Sequence, residues 1–275
     1  MHSHAAGDGM RGQMLMIDVT QASDARIYNR LLGGTDHYPA DREAVRRLLA
    51  LAPNARQLAH INRQFLVRAV RYLAGTCGIG QFFDHGAGLP LRDNVHQVAQ
   101  RANHTARVVY IDNDPVVVAH ARMMLDGEHT LILDADMLDT SDVLARIRQA
   151  GFLDQDAPVA VLFVSVLHCV ADERDPWRHV RELIDRLPSG SHLVLSHLAC
   201  DDPSLREQTS ALMRRLTGRQ WARVRSFAEV DRFFDGLQPV GGPIGDVAAW
   251  RPGTDLKLRL ADRTWIAYGG VARKP

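Results

Sequence analysis

The sequence has little cysteine, and none of it is closely spaced. Cys77, Cys169 and Cys200 form an odd, widely separated set with no C-x-x-C pair. That spacing supplies neither a disulfide framework nor a zinc signature. It predicts reduced, buried thiols in a cytoplasmic protein. Long apolar runs are also missing: none approaches the roughly 18 residues that a membrane-spanning helix needs. Charge of one sign is not in excess, since the formal net charge is +1. Electrostatics therefore give no reason to expect nucleic acid or a membrane surface as a partner. The densest basic stretch, from Arg214-Arg215 to Arg225, is interrupted by apolar residues at helical spacing and reads as a solvated helix face. Also lacking are a G-x-S-x-G elbow, an H-E-x-x-H pair and a phosphate loop ending in Gly-Lys-Ser/Thr, so three common catalytic and phosphate-binding motifs are not available. Met1 to Gln13 has neither the charged start nor the apolar stretch of a signal peptide. It reads as part of a disordered tail over 1–16, and no metal role is assigned to its histidines.

What is present is enough apolar sequence, 46% of 275 residues, for one large core or two small ones. The first third reads as helical. Ser23 can cap a short helix that ends at Gly33-Gly34. Asp41 can cap the next, and a longer helix carries Leu58, Ile61, Phe65, Ala69 and Tyr72 on one face. From residue 79 the pattern changes to short apolar runs alternating with amphipathic stretches. Strands are expected at 79–83, 108–111, 131–133, 159–164 and 192–196. The fourth is wholly apolar, as a strand buried on both faces should be. Asp114-Pro115 and Asp175-Pro176 each read as a cap followed by proline at the first helical position. Ser226 to Glu229 reads as a capping box. Two further strands, about 237–250 and 264–272, can close the sheet as an antiparallel hairpin. Alternation of this kind implies a mostly parallel, doubly wound α/β sheet of seven strands with right-handed crossovers. The expected layout is a tail at 1–16, a helical lid at 17–75 and a Rossmann-like domain at 76–275.

Chemistry concentrates at the ends of the expected strands. Asp84-His85-Gly86-Ala87-Gly88 follows the first. Its glycines, Gly86 and Gly88, allow the backbone to pass close to a ligand, with a helix start facing it. A dinucleotide fingerprint would place glycine where Leu91 stands. The acid two residues before the first glycine instead suits a positive ammonium group and suits a pyrophosphate poorly. Asp112, followed by Asn113, ends the second strand, where a carboxylate can accept from both hydroxyls of a ribose. Asp136 follows the third strand and could accept from an adenine amino group, with Met137 against the ring. Ser165 and His168 end the fourth. His168 is a candidate general base. Together these residues outline a site for a nucleoside joined to an amino acid.

With those elements placed, the chain resembles an actinobacterial family of class I S-adenosylmethionine-dependent methyltransferases of unassigned substrate. The resemblance runs from about residue 17 to 273. Its most specific parts are Arg26-Ile27-Tyr28, Leu31-Leu32-Gly33-Gly34, Asn62-Arg63, the Asp84-x-Gly-x-Gly-Leu-Pro turn, Val109 to Pro115 and Leu167-His168. It implies S-adenosyl-L-methionine as donor, a class I fold, and an acceptor site under the N-terminal helices. Asn29 and Thr35-Asp36-His37 depart from the family pattern, as do His85 and Ala87. Tyr28, Asp36, His37 and Arg63 are expected to line the acceptor side, with Tyr28 and His37 joining His168 as catalytic candidates. The expected acceptor is a small molecule, and an oligomer is possible. Two alternatives stay open at this level: a protein that binds S-adenosylmethionine or its product without turnover, and a nicotinamide-dependent oxidoreductase.

Overall fold

The computed structural model describes residues 18–218, 220–252 and 264–275. The expected tail at 1–16 and most of the turn before the last strand lie outside the described residues.

Parallel strands β1 (Gln81–His85), β2 (Arg107–Asp112), β3 (Thr130–Asp134), β4 (Ala160–Val164) and β5 (His192–Ala199) alternate with helices, as the apolar pattern demands. Side chains along each strand divide between two cores. Phe82, Val108, Leu162 and Val194 face one helical layer, and Phe83, Val109, Phe163 and Leu193 face the other. This period of two on strands buried on both faces is what made their sequences nearly all apolar. The first layer contains α3 (Ala55–Gly75), α4 (Val95–Gln100) and α5 (Pro115–Met124). The second contains α6 (Thr140–Gln149) and α7 (Pro176–Asp185).

The order of the sheet is β3-β2-β1-β4-β5-β8-β6, where β6 is Gln238–Pro239 and β8 is Ile266–Arg273. β8 runs antiparallel to β5, and a short β7 (Gly245–Asp246) also pairs with it. The closing strand was thus legible, but its expected partner at 237–250 survives only as two dipeptides. Pro239 has no N–H to give a ladder, and Gly241-Gly242-Pro243 breaks the run. The sheet reverses its winding between β1 and β4. Their carboxyl ends therefore diverge into a crevice, the place where ligands of open α/β sheets bind.

Two helices, α1 (Asp24–Leu31) and α2 (Pro39–Leu51), cover that crevice. They lean on α3, whose Phe65, Ala69 and Leu73 belong to the same core as the sheet. Residues 55–75 are therefore a layer of the sheet rather than a separate unit, and the boundary expected after residue 75 cuts through a continuous core.

Neither residue is the N-terminal cap expected from the sequence. Ser23 precedes α1, but its hydroxyl donates to the Asp114 carboxylate at 2.8 Å and accepts no N–H of its own helix, while Asp41 acts from the third position of α2 on the N–H of the capping residue Tyr38. Asp41 sits inside α2. Its fully buried carboxylate accepts from the backbone N–H groups of Ser23 (3.0 Å) and Tyr38 (2.7 Å) and pairs with Arg26 Nε at 2.9 Å. It ties the start of α2 to the start of α1.

The Arg214 to Arg225 stretch also differs from the expected solvated helix. α8 (Pro203–Leu216) stops at Leu216, and Arg225 has no exposed surface. Its guanidinium donates to the carbonyls of Leu167 (2.7 Å) and Val170 (2.8 Å) and to Asp172 (2.7 Å), and lies over the Trp177 ring. It pins the loop after β4.

Replacing Asp41 by alanine leaves Arg26 and two N–H groups buried without their acceptor. The expected loss is about 3–5 kcal/mol, read as a shift in the chemical denaturation midpoint at unchanged slope. A loss under about 1 kcal/mol contradicts the clamp.

Candidate active site

A cavity of about 670 Å³ lies between the carboxyl ends of β1 to β5 and the helices α1 and α3. The turn after β1 forms part of its floor. Gly86 and Gly88 take φ of +66° and +67°, a region that costs glycine nothing. A β-carbon on Gly86 would run into the Val166 side chain. Three of the turn's N–H groups are already engaged within the protein: Gly86 donates to Ile111 O (2.8 Å), Ala87 to the same carbonyl (3.3 Å) and Gly88 to Asp112 Oδ2 (3.0 Å). No helix starts directly after the turn either, since α4 begins at Val95 behind an Asn94 cap. The glycines therefore supply a bare surface and a fixed path, rather than the anion cradle expected of a helix start.

Asp84 and His85 are neighbours on a strand and so face opposite sides of the sheet. His85 is buried against Phe163, ring centroids 4.5 Å apart. Asp84 lines the cavity, is buried, and accepts no hydrogen bond among the described residues. Burial pushes its carboxyl up to about 7, against the pull of Arg63, and nearby Asp112 adds to the rise. Arg63 itself gives its guanidinium to the carbonyls of Arg92 and Asp93.

Asp112 lines the cavity at the end of β2, held by the N–H groups of Gly88 and, at 2.9 Å, Asp114. Burial raises its carboxyl as well. Asn113 follows it on the wall. Asp114 is the helix cap the sequence indicated, accepting from Val116 N–H at 2.8 Å. Asp136 and Met137 line the third strand's end, with Asp136 also paired to Arg174 at 2.6 Å. Ser165 stands at φ +58°, its N–H bonded to Ser196 O. Every residue expected at the donor therefore meets in one cavity.

The acceptor candidates divide. Tyr28 lines the cavity, its hydroxyl donating to Ala59 O (3.2 Å) and accepting from Asn62 Nδ2 (2.8 Å). Asn62 in turn accepts from the Ser196 hydroxyl. Arg63 is present too. Asp36 and His37 are not among the lining residues. α1 ends at Leu31, Gly33 (φ +86°) turns the chain, and 34–38 run along the outside of the cover. There Asp36 is exposed, and His37 Nδ1 lies 3.4 Å from Arg42. His168 does line the cavity, tilted against Trp221 with ring centroids 4.1 Å apart. Burial and the Arg225 charge hold its ring neutral, down to about 3. A base that weak is poorly matched to proton transfer near neutrality.

Sequence reasoning missed Asp24, Cys169, His197 and Trp221, all on the cavity wall. Asp24 reads locally as an ordinary acid in a helix's first turn. Only the fold sets it against Cys169.

The raised Asp84 carboxyl has a consequence for stability. The unfolded acid ionises near 3.8 and the folded one near 7. The two states therefore bind protons alike below about pH 4, and folding carries a growing penalty as pH rises to 7, complete above it. Asp84→Asn should then unfold at a higher temperature than the parent at pH 8, with the difference vanishing near pH 4. Thermal melts across that range read it, and equal melts at pH 8 contradict the assignment.

Known proteins supply the family. The family model described as S-adenosyl methyltransferase matches residues 10–275. A DUF574 family protein of Streptomyces avermitilis MA-4680 is 35% identical, with a TM-score of 0.85 over 94% of this chain and 99% of that one. A candidate methyltransferase of Thermobifida fusca YX is 34% identical, with a TM-score of 0.83 over 94% and 96%. The plantazolicin methyltransferase BpumL, solved with a triazolic desmethylPZN analog and SAH, is 10% identical over 91% and 96% at a TM-score of 0.53, and shares the fold alone. A search of curated proteins finds no match. The dehydrogenase alternative falls with the family match. The chain belongs to the S-adenosyl methyltransferase family, and its methyl donor is S-adenosylmethionine.

Proposed function

We propose that the cavity is where the methyl group passes from the donor to a small-molecule acceptor, with α1 and α3 closing over both. The observation that carries this reading is Asp84: a buried carboxylate facing the cavity with no hydrogen-bond partner among the described residues and a carboxyl raised to about 7. Such a group is stable as a carboxylate only opposite a cation. The ammonium of the donor's methionine end is that cation. Gly86 and Gly88 give it a path free of side chains. Asp112 still has lone pairs for the ribose hydroxyls, with Asn113 beside it. Asp136 and Met137 flank the adenine, and Ser165 the sulfur side.

The donor carries its methyl on a sulfonium and needs little further activation. The protein's task is to hold a nucleophile in line with the methyl carbon, roughly 3 Å away, and to keep water out. Positive charge disappears from sulfur as the carbon transfers, so a cavity walled by Leu58, Leu89 and Trp221 favours the step. Tyr28, fixed by Asn62 and Ala59, is placed to orient the acceptor. His168 serves as a neutral wall instead of the base suggested by its position in the sequence. A covered space of this size suits a small molecule better than a macromolecule. No helix among the described residues is long and apolar enough to cross a membrane, and three free thiols fit a reducing, cytoplasmic setting.

Asp112→Ala should weaken SAH binding at least tenfold by calorimetry, about 1.4 kcal/mol or more, while the far-ultraviolet spectrum stays that of the parent. Unchanged affinity contradicts the ribose assignment.

A further inference from the structure

The donor does not use up the negative charge of this cavity. Six acids line it: Asp136 is paired with Arg174, Asp18 is exposed and held by Thr20, and Asp24, Asp84, Asp112 and Asp114 are neither. Of the arginines on its wall, Arg26 is paired with Asp41 and Arg174 with Asp136, leaving Arg63 as the one guanidinium without an acidic partner among the described residues. The donor brings an ammonium and a sulfonium against one carboxylate, a single net positive charge. With Arg63 that answers two of the four acids. Two carboxylates remain, in a space where unpaired charge is costly.

Their burdens are unequal. Asp114 is satisfied by the Val116 N–H and the Ser23 hydroxyl. Asp24, in the first turn of α1, is not. Its Oδ2 accepts only the weak thiol donor of Cys169 at 3.1 Å, and its Oδ1 has no partner among the described residues. The titratable groups facing it are Asp114 from the loop after β2 and Cys169 from the loop after β4. Burial, then the Asp114 charge, pushes the Asp24 carboxyl up to about 6, which the thiol only partly offsets. The wall of the same cavity also carries aromatic and aliphatic side chains: Tyr28, Trp221, Leu31 and Leu58. Rings of this kind tolerate a cation over their faces.

We propose that the acceptor is an amine that enters as its ammonium form, held by Asp24, with an apolar or aromatic body against Trp221 and Leu58. Asp24 then also serves as the proton acceptor. The ammonium gives one proton to the Asp24 carboxylate and becomes a neutral amine with a free lone pair. That pair forms the N–C bond to the methyl carbon while the S–C bond breaks and its electrons stay on sulfur. The products are a methylated ammonium, SAH and protonated Asp24, which returns its proton to solvent. A carboxyl near neutrality suits this task; the neutral ring of His168 does not.

The inference rests on the donor-site reading above, and one titration series separates the two. Full-length protein saturated with SAH is titrated with alkyl and arylalkyl amines of about three to ten carbons, each beside its alcohol and carboxylate counterpart. The expected result is that at least one amine binds ten times or more tightly than its alcohol, that no carboxylate competes, and that Asp24→Asn removes the preference while SAH affinity stays within about twofold. Alcohols binding as well as amines, tighter binding of an acid, failure of every amine, or an amine preference that survives in Asp24→Asn overturns the amine inference alone. Failure of SAH itself to bind the parent protein overturns the donor-site reading, and the inference with it.

Discussion

A single chain of hydrogen bonds joins the floor of the cavity to its cover. Gly88 N–H donates to Asp112, which also accepts from Asp114 N–H. Asp114 in turn accepts the Ser23 hydroxyl, and Ser23 N–H donates to Asp41, which holds Arg26 and the start of α2. The glycine turn, the end of β2 and the two covering helices are thereby set relative to one another by carboxylates. Each link is buried or partly buried, so breaking one leaves an unsatisfied group rather than a water-filled gap. A ligand that engages Asp112 therefore acts on the same network that positions α1.

The cost of this arrangement is concentrated charge. Asp84, Asp112 and Asp24 are all held above the usual carboxylate range by burial. A fold selected only for stability would not place three such groups around one cavity. Their presence marks the cavity as a candidate functional site. The opposite device operates a few ångströms away. His168 and His197 are held neutral by burial and by the Arg225 guanidinium. Arg225 also pins the carbonyls of Leu167 and Val170, so the loop after β4 is both shaped and kept electrically quiet by one buried arginine.

The sheet was legible because its signal is local and repeated. Val159 to Val164 is apolar throughout, Asp114-Pro115 and Asp175-Pro176 announce helix starts, and Asp84, Asp112 and Asp136 fall at successive strand ends. What escaped depends on contacts between distant residues. Ser23 and Asp41 look like caps in isolation, and only the packing of α1 on α2 and on the β2 loop redirects their side chains. Arg225 looked solvated because neighbouring basic residues suggested a continuing helix, whereas the chain turns after Leu216 and carries it inside. His37 and Tyr28 seemed equivalent in a polar cluster beside Gly33-Gly34. The turn at Gly33 puts one outside and leaves the other within. Asp24 carried no local mark, because only the fold sets its Oδ2 against the Cys169 thiol and leaves its Oδ1 without a partner among the described residues.

A donor bound between the sheet and the N-terminal helices alters the exchange of both. Hydrogen exchange of the full-length protein with and without SAH tests this most directly, because exchange reports local opening segment by segment. Slowed exchange is expected in 24–31 and 58–66 together with 84–91 and 110–115. Protection confined to 84–91 and 110–115, with the helices unchanged, would contradict it.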